Sequence, residues 1–333
     1  MAKKVTLKDL AQELGVSQNT VSVALRGQPG ISEATRKMIL EAAKEKGYEK
    51  HFKKNHMPNI CVLTTYKNNM DSYYFGRLQN RIEFYLNKKS DQTITVNNIE
   101  TYSIEEVKEL CVTNEIEGII LVADVGRHIM DQLYKLSIPV VCAGFYVPGM
   151  MADSILEDNV VGIELLIECL KSRGINSVGF IGSIRTDQGF FERWMAMMAI
   201  TVKYGMEYKA EKSIIDLPYE EVCNQQKMYE IFSNFEEIPE AFVCANDKIA
   251  ITAIKALQQN NIAVPKDVSI VGFDNCDVAQ LSTPTVATVD NYLDEQAKSA
   301  VHRLFRRLEI PDLPYERILC PTAFVDGESL RKL

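Results

Sequence analysis

Seven short runs of apolar, largely β-branched residues follow one another along the chain, and each precedes a stretch with the apolar spacing of an amphipathic helix. Because buried strands that alternate with helices pair in parallel, this pattern predicts a doubly wound α/β fold with helices on both faces. The part that holds these runs has about 270 residues, which is large for one sheet, so two similar subdomains with a cleft between them are expected. The runs are NICVLTTY, TITVN, EGIILVA, IPVVCAG, NSVGFIG, EAFVCAN and VSIVGFD.

The N-terminal part has a different pattern, which predicts three short amphipathic helices. Thr6, Ser17 and Ser32 are placed to cap their N termini, and Gly15 and Gly47 are placed to end the first and third. The tight turn at Gly15 leads into a second helix whose outer face begins with short polar side chains. Two helices joined in this way form a helix-turn-helix, in which the second helix enters the DNA major groove.

The charge of the chain is divided unevenly. Residues 1–56 carry 11 lysines and arginines against 6 acids, a net charge of +5, whereas the remainder carries 26 basic and 39 acidic residues, or −13. A basic head on an acidic body is typical of a phosphate-binding module joined to a second domain. A solvated charged surface gives the same division, so the charge alone does not identify a partner.

Composition and motifs argue against several classes of protein. Hydrophobic residues make up 46% and charged residues 25%, as in ordinary globular proteins. No apolar run approaches the roughly 18 residues of a membrane-spanning helix, and MAKKVTLKDL lacks the apolar segment of a signal peptide, so a cytoplasmic protein without membrane contact is expected. The eight single cysteines are expected to be reduced core thiols, with no metal and no cofactor. The chain lacks GxSxG, P-loop, HExxH and dinucleotide-binding glycine motifs, which argues against an enzyme.

The segment VTLKDLAQELGVSQNTVSVALRGQPGISEATRKMILEAAKEKGY resembles the DNA-binding head of the LacI/GalR family of bacterial transcription regulators. The resemblance implies that Gln18 and Asn19 read base edges, since amides bond bidentately to adenine. Val23 stands where most members carry an arginine that reads guanine, so an apolar contact to a thymine methyl and a different operator are expected. The phosphate-contacting residues implied are Thr6, Ser17, Thr20, Ser22 and Arg26. For the four hydroxyl residues, helix capping or a helix-surface position is the compatible alternative.

The segment after Tyr48 departs from the family. Members place a hinge helix there, whose leucine wedges into the minor groove, whereas this chain reads EKHFKKNHMPN without a leucine. Phe52 or Met57 is a candidate replacement for the wedge. A plain basic linker, in which Lys53 and Lys54 contact phosphates, is the preferred interpretation.

The body resembles the effector domain of the same family, which has a periplasmic-binding-protein fold. The resemblance rests on LEDNVVGIELLIECLKSRG, FVCANDKIAITAIKALQQNNIAVPKDVSIVGFDN and STPTVATVD, and with the head it covers nearly the whole chain. It implies that Arg193, Asn246 and Asp274 contact the effector, and the last two directly follow predicted strands, where α/β sheets bind ligands. The alternative for Arg193 is a solvated helix arginine, and the alternative for Asp274 is a turn cap. Helix capping is the alternative for Asn246 and for Asp247, and for Asp247 it is the preferred interpretation.

Aromatic residues are candidates for the opposite wall of the cleft. DSYYF matches the family segment in which an aromatic side chain faces the ligand, so Tyr74 and Phe75 are predicted to line the site, although ordinary packing is the commoner role of aromatics. Tyr146 is a further candidate, with Phe145 and Trp194 as weaker ones. Aromatic faces beside acids, amides and an arginine suit a sugar or sugar derivative, while a purine would stack as well.

These observations predict a transcriptional regulator, most simply a repressor, that acts as a homodimer on a pseudo-palindromic DNA operator and responds to a carbohydrate effector. The alternative is a cytoplasmic solute-binding protein of the same fold with impaired operator reading. The predicted domains are a helix-turn-helix head (1–48), a short basic linker (49–58) and an effector-binding and dimerisation domain (59–333), the latter divided into an N-subdomain (about 59–159 and 290–320) and a C-subdomain (about 160–289 and 321–333).

Overall fold

A computed structural model of the protein describes most of the chain. The described residues are 5–25, 31–46, 57–64, 72–90, 93–96, 99, 102–122, 126–136, 138–185 and 187–332, without the side chains of Asn19, Ser22, Lys44, Ser72, Tyr73, Val96, Gly126 and His128. The chain divides into two compact units, Met1–Pro58 and Asn59–Leu333. Within the described part, no helix is both long enough and apolar enough to cross a membrane.

The first unit consists of three helices, α1 (Leu7–Leu14), α2 (Gln18–Leu25) and α3 (Glu33–Glu45). The predicted capping is confirmed at Thr6, Ser17 and Ser32, whose hydroxyls each accept a backbone N–H from the first turn. Gly15 ends α1 at φ +65°, a left-handed conformation that favours glycine. The helices bury one apolar cluster, formed by Leu10, Ala11, Val21, Ala24, Leu25, Ile39 and Ala43.

The second unit alternates strands and helices. Its strands are β1 (Ile60–Thr64), β2 (Thr93–Val96), β3 (Gly118–Val122), β4 (Val140–Ala143), β5 (Asp153–Glu157), β6 (Ser177–Ile181), β7 (Glu207–Tyr208), β8 (Ala241–Cys244), β9 (Ser269–Val271), β10 (Thr288–Asp290), β11 (Arg317–Cys320) and β12 (Ala323–Val325). Its α-helices are α4 (Arg77–Leu86), α5 (Ile104–Thr113), α6 (Gly126–Tyr134), α7 (Asn159–Ser172), α8 (Gln188–Lys203), α9 (Tyr219–Val222), α10 (Gln225–Ser233), α11 (Asp247–Gln259), α12 (Asp277–Leu281) and α13 (Leu293–Glu309).

Two parallel sheets form the frame of this unit, which confirms the doubly wound α/β prediction. Among the described residues, the first sheet has the order β11-β5-β4-β3-β1-β2 and the second the order β7-β6-β8-β9, with every pairing parallel. α13 covers one face of the first sheet, and α5 and α6 cover the other. The second sheet has a separate core shared with α7, α8, α10 and α11.

The chain passes between the two sheets at three places in the described part. β5 leads into α7, β10 leads into α13, and β11 leads into β12, which pairs antiparallel with β10. Residues next to these crossings therefore lie where the two sheets meet, at the carboxyl ends of parallel strands.

The seven predicted strands are all present, but β5 carries no comparable apolar run. Its sequence, DSILE, begins and ends with an acid, yet the whole strand is buried. Asp153 is fully buried and is paired with Arg303 and Arg307 of α13. These partners lie about 150 residues further along the chain, so the sequence pattern of the strand itself gives no sign of its burial.

Candidate functional site

The first unit presents α2 as its candidate DNA-reading helix. Gly15 and Ser17 shape the turn before it, and the Ser17 hydroxyl accepts the Thr20 N–H at 3.0 Å. Gln18 is exposed at the start of the helix, while Val23 is half-buried further along. The structure therefore leaves the Gln18 amide accessible for base edges.

The hydroxyls predicted to contact phosphates already have partners within the head. Thr6 and Asp9 form a reciprocal capping box, and the hydroxyls of Ser17 and Thr20 lie 2.8 Å apart. A hydroxyl that caps a helix can still donate to a phosphate, so the two roles are compatible. The side chains of Asn19 and Ser22 lie outside the described residues, as do all of Arg26, Phe52, Lys53 and Lys54, while Met57 is described and exposed.

Arg36 supports the reading helix from α3. Its Nη1 donates to the carbonyl oxygens of Val23 and Ala24 at 3.4 and 3.2 Å, and its side chain is 14% exposed. A basic side chain at these C-terminal carbonyls satisfies orphan acceptors and complements the helix dipole. Sequence reasoning did not identify this contact, because Arg36 lies ten or more residues beyond α2.

A polar cavity lies between the two sheets of the second unit. It is lined by Tyr74, Phe75, Gly144, Glu157, Asp187, Gly189, Phe190, Arg193, Tyr219, Asn246, Asp247, Lys248, Asp274 and Cys276. These residues come from both sheets and from their connecting loops. Its free volume of about 50 Å³ is well below the roughly 300 Å³ at which small-molecule sites begin.

Arg193, on α8, is the centre of the hydrogen bonds around this cavity. Nε donates to Asn159 Oδ1 at 2.8 Å, Nη1 to the Ala245 carbonyl at 2.6 Å, and Nη2 to Glu157 Oε1 at 2.9 Å. Asp274 Oδ1 lies 3.4 Å from Nη2, and the guanidinium stacks 3.8 Å above the ring centre of Phe273. The side chain is buried, not solvated as the alternative proposed. Burial lowers the pKa of Arg193, but Asp274 and Glu157 more than offset this and raise it.

Glu157 links Arg193 to the aromatic wall. This carboxylate, at the end of β5, accepts the Tyr74 hydroxyl at 2.9 Å through the oxygen that does not face Arg193. The same hydroxyl lies 2.7 Å from Gln296 Oε1. Burial raises the pKa of Tyr74 well above its usual value, and the neighbouring Glu157 carboxylate raises it further.

Tyr74 and Phe75 lie in the π-helical turn Ser72–Gly76 that leads into α4. Their rings meet edge to face at 4.9 Å. A Cβ on Gly144 would lie 2.8 Å from the Phe75 ring and 3.0 Å from the Tyr74 ring, so only glycine leaves room for them here. The structure therefore brings both predicted aromatics to the cavity wall.

Asp274 occupies a strained position three residues beyond the end of β9. Its φ of +99° is rare for a residue with a side chain, and such strain is concentrated at functional sites. Burial raises the pKa of Asp274 to about 6, even though Arg193 acts in the opposite direction. Asn291 donates to Asp274 Oδ1 at 3.2 Å, which connects this carboxylate to the crossing between β10 and α13.

Asn246 and Asp247 have different roles at the start of α11. Asn246 is the N-cap, and its Nδ2 donates to the Tyr219 hydroxyl at 3.2 Å on the cavity wall. The preferred interpretation of Asp247 as a helix cap is wrong: its carboxylate accepts the Thr288 hydroxyl at 2.5 Å and the Cys276 N–H at 2.8 Å. Burial, followed by the charge of Asp274, raises the pKa of Asp247 to about 7.

Tyr146 does not belong to the described lining of the cavity. Its hydroxyl bonds to Glu192 Oε1 at 2.9 Å and accepts from Gln188 Nε2 at 3.1 Å, while Arg317 stacks on its ring. Trp194 lies on α8, and its indole N–H donates to the Tyr208 hydroxyl. The effector-contact prediction for Tyr146 thus remains untested, and in this structure its polar contacts are with α8.

Sequence reasoning missed several lining residues. Glu157, Asp187, Phe190, Tyr219 and Lys248 contribute to the cavity wall. Glu157 carried a usable signal, since it lies at the carboxyl end of a strand, close to the kind of position that Asn246 and Asp274 have just beyond β8 and β9, but the strand itself was not recognised. Tyr219 lies on a one-turn helix after a loop, where no periodic pattern is available.

The two units match two different family models. Residues 6–50 match the model described as bacterial regulatory proteins, lacI family, and residues 167–330 match the periplasmic binding protein-like domain. The chain is 26% identical to the probable HTH-type transcriptional repressor ExuR of Bacillus subtilis strain 168 over 340 residues, which cover 99% of each chain. It is 24% identical to the ribose operon repressor of Haemophilus influenzae, covering 98% of this chain and 99% of the relative.

Solved structures show the same fold over 83% to 99% of the chain. The complex of the transcriptional regulator CelR with cellobiose has a TM-score of 0.70 at 21% identity and covers 98% of this chain and 99% of its own. A LacI family regulator of Enterococcus faecium with bound ribose has a TM-score of 0.67 at 20% identity, covering 83% and 99%. The lac repressor dimer bound to its operator has a TM-score of 0.65 at 19% identity, covering 99% and 100%. The chain belongs to the LacI/GalR family of DNA-binding transcriptional regulators.

Proposed function

We propose that this regulator is a repressor that binds a pseudo-palindromic operator as a homodimer and responds to a small neutral carbohydrate in the cleft. The observation that carries the proposal is the chemistry of the cavity, where aromatic rings lie beside a buried arginine, several carboxylates and an amide. The helix-turn-helix head with its exposed Gln18 supplies the DNA-binding half of the proposal.

The lining suits a polyhydroxylated ring. Each sugar hydroxyl both donates and accepts, so it can pair with the carboxylates of Glu157 and Asp274, the guanidinium of Arg193 and the amide of Asn246. The C–H face of a sugar ring packs against aromatic faces such as Phe75 and Tyr219. The cavity is lined by four carboxylates and two basic side chains, which disfavours an anionic ligand.

The size of the cavity links ligand entry to movement. With about 50 Å³ free, a sugar can enter only if the two sheets separate or the lining side chains rearrange. A ligand that binds one degree of closure better than another shifts the equilibrium between them. We propose that this shift alters the relation between the two heads of the dimer and hence operator affinity.

DNA binding itself is assigned to the basic head. Gln18, Asn19 and Val23 are proposed to face the bases, and Thr6, Ser17, Thr20, Ser22, Arg26, Lys53 and Lys54 are proposed to contact phosphates. Two heads are needed to read two half-sites, which is the reason for proposing a homodimer. Among relatives, the lac repressor is seen as an operator-bound dimer.

The test is a fluorescence-anisotropy titration of the full chain against DNA selected from a random pool, across a salt series, with and without neutral sugars, uronic acids and purines. The proposal is supported if selection yields a palindromic DNA sequence for which the protein's affinity falls steeply with salt and changes with one neutral sugar. Weak, sequence-independent binding contradicts operator reading. A response to a purine or a uronic acid in place of a neutral sugar contradicts the proposed ligand class.

A further inference from the structure

The effector arginine is held by a relay of side chains that reaches across the cleft. Arg193 Nε donates to Asn159 Oδ1, and Asn159 Nδ2 donates to Glu192 Oε2 at 2.9 Å. The other oxygen of Glu192 accepts the Tyr146 hydroxyl at 2.9 Å. Tyr146 follows β4 of the first sheet, whereas Glu192 and Arg193 lie on α8, which covers the second sheet.

The relay determines which way the Asn159 amide points. An amide presents a donor on one side and an acceptor on the other. Because Glu192 is a carboxylate that only accepts, it requires Asn159 Nδ2 and leaves Oδ1 for Arg193. The Arg193 side chain is 4% exposed, so its direction depends on these protein groups and not on solvent.

Tyr146 is itself restrained on the side of the first sheet. The guanidinium of Arg317, on β11, stacks 3.6 Å from its ring centre. From α8, Gln188 donates to the Tyr146 hydroxyl, so this oxygen directs its own proton to Glu192. A separation of the two sheets at this point breaks the Tyr146–Glu192 hydrogen bond.

We infer that Glu192 is a positioning residue of the effector site, which orients the Arg193 side chain through Asn159. Through its hydrogen bond to Glu192, Tyr146 makes this orientation depend on closure of the cleft. The inference rests on the proposed function for the role of Arg193 toward a ligand. The relay itself is independent of any ligand. It makes closure of the cleft and orientation of the arginine a single event, and it gives Tyr146 a role outside the cavity.

The experiment observes the Arg193 Nε–H directly, in full-length protein labelled with ¹⁵N-arginine and without any ligand. Its signal is assigned by its loss in Arg193→Lys, and its solvent exchange is compared in wild type, Tyr146→Phe and Glu192→Gln. Tyr146→Phe keeps the ring that packs on Arg317, and Glu192→Gln keeps the volume of the side chain. The matched controls are Tyr134→Phe and Glu109→Gln, which change exposed residues of α6 and α5.

We expect exchange of the Arg193 Nε–H to rise roughly tenfold in each relay variant. Tyr146→Phe removes the hydrogen bond to the Glu192 carboxylate, and Glu192→Gln removes the charge that fixes the direction of the Asn159 amide. Both controls should exchange like wild type. The double variant Tyr146→Phe/Glu192→Gln should exchange no faster than the faster single variant, because both changes break one relay. Exchange unchanged in the relay variants, equal acceleration in the controls, or multiplicative effects in the double variant would each overturn the inference.

Sugar and DNA titrations of the same variants keep the two proposals apart. A wild-type protein that binds neither operator DNA nor any of D-ribose, cellobiose and other neutral sugars refutes the proposed function. The exchange comparison needs no ligand and still decides whether Glu192 positions Arg193. Where a sugar binds, both relay variants should bind it more weakly than the control variants do.

Discussion

Arg193 shows how much one side chain contributes to this site. It contacts two carboxylates, an amide and a backbone carbonyl, and it has almost no access to solvent. A buried guanidinium of this kind is stable only while its partners remain, because an unpaired charge in the interior is strongly unfavourable. A ligand that takes one of these hydrogen bonds must therefore offer an acceptor of its own.

The buried acids Asp247 and Asp274 should make stability depend on pH. The pKa of Asp247 is raised from the usual 3.8 to about 7, and that of Asp274 from 3.8 to about 6. Between pH 3.8 and these raised values, the folded state therefore binds more protons than the unfolded state. Their contribution to stability is complete below pH 4 and is lost as the pH rises through 6 and 7. We expect Asp247→Asn to reduce the fall in unfolding free energy between pH 5 and pH 8 by about 1 kcal/mol per pH unit.

Urea unfolding at four pH values measures this effect. Asp312→Asn, a change of an exposed acid outside the cavity, is the control and should retain the wild-type slope. An Asp247→Asn profile parallel to wild type would show that Asp247 is ionised in the folded state throughout this range.

Gln18 should contribute sequence discrimination. Its side chain is exposed at the start of α2, where the second helix of a helix-turn-helix meets base edges. We expect Gln18→Ala to reduce the difference in binding free energy between specific and non-specific DNA by about 1–3 kcal/mol, with little change in the salt dependence. Gln12→Ala, on the exposed face of α1, is the control. Equal loss on selected and random DNA would instead assign Gln18 to phosphate contact.

At the scale of elements, β5 is the strand on which the first sheet and the cleft both depend. It pairs with β4 and β11, and it ends in Glu157 on the cavity wall. Its first residue, Asp153, accepts from Arg303 Nε and Arg307 Nε, each at 2.8 Å. Burial acts to raise the pKa of Asp153, but hydrogen bonds from both arginines outweigh it and lower the pKa. α13 is thereby attached to the start of β5.

Replacing Asp153 should destabilise the second unit strongly. In Asp153→Asn the two buried guanidinium groups lose their shared counter-charge, and we expect a loss of about 3–5 kcal/mol in unfolding free energy. Denaturant unfolding followed by circular dichroism measures it. Asp294→Asn, at a half-exposed ion pair with Arg81, should change the same quantity by less than about 1 kcal/mol. Similar values for both variants would show that the buried cluster is not stabilising.

For the whole molecule, the proposed function requires that a change in the cleft alter DNA binding by the head. The cleft lies where the chain crosses between two sheets, so a change in their separation moves several crossing segments together. The hydrogen bond between Tyr146 and Glu192 places one contact between the sheets next to Arg193, the proposed effector-binding arginine. The two sheets have separate apolar cores, so one can move relative to the other without exposing either core.

Arg193→Lys should separate DNA binding from its control. Lysine keeps the charge but lacks the planar fork that reaches Asn159, Ala245 and Glu157 together. We expect operator affinity without sugar to stay within about twofold of wild type, and the response to sugar to fall by at least about tenfold. Anisotropy with operator DNA measures both. Arg185→Lys, at an exposed ion pair, should behave as wild type. A full response in Arg193→Lys would remove this arginine from the effector site.

A large part of the fold was readable from the sequence because it depends on neighbouring residues. Caps at Thr6, Ser17 and Ser32 need only the next three residues, and a buried parallel strand shows itself as an apolar run. Residues that follow such runs, as Asn246 and Asp274 do, could be placed at the edge of a sheet and hence near a ligand.

The sequence by itself therefore determined the two-part organisation, the class of fold and the candidate residues at strand ends. Tertiary structure decided which of them meet. Asp153 is buried in a strand because two arginines from α13 neutralise it, Asp247 bonds to Thr288 and does not cap its helix, and Tyr146 contacts Glu192 outside the cavity wall. Each of these outcomes depends on a partner about 40 to 150 residues away, and the energetics of a buried polar group are set by that partner and not by its neighbours in sequence.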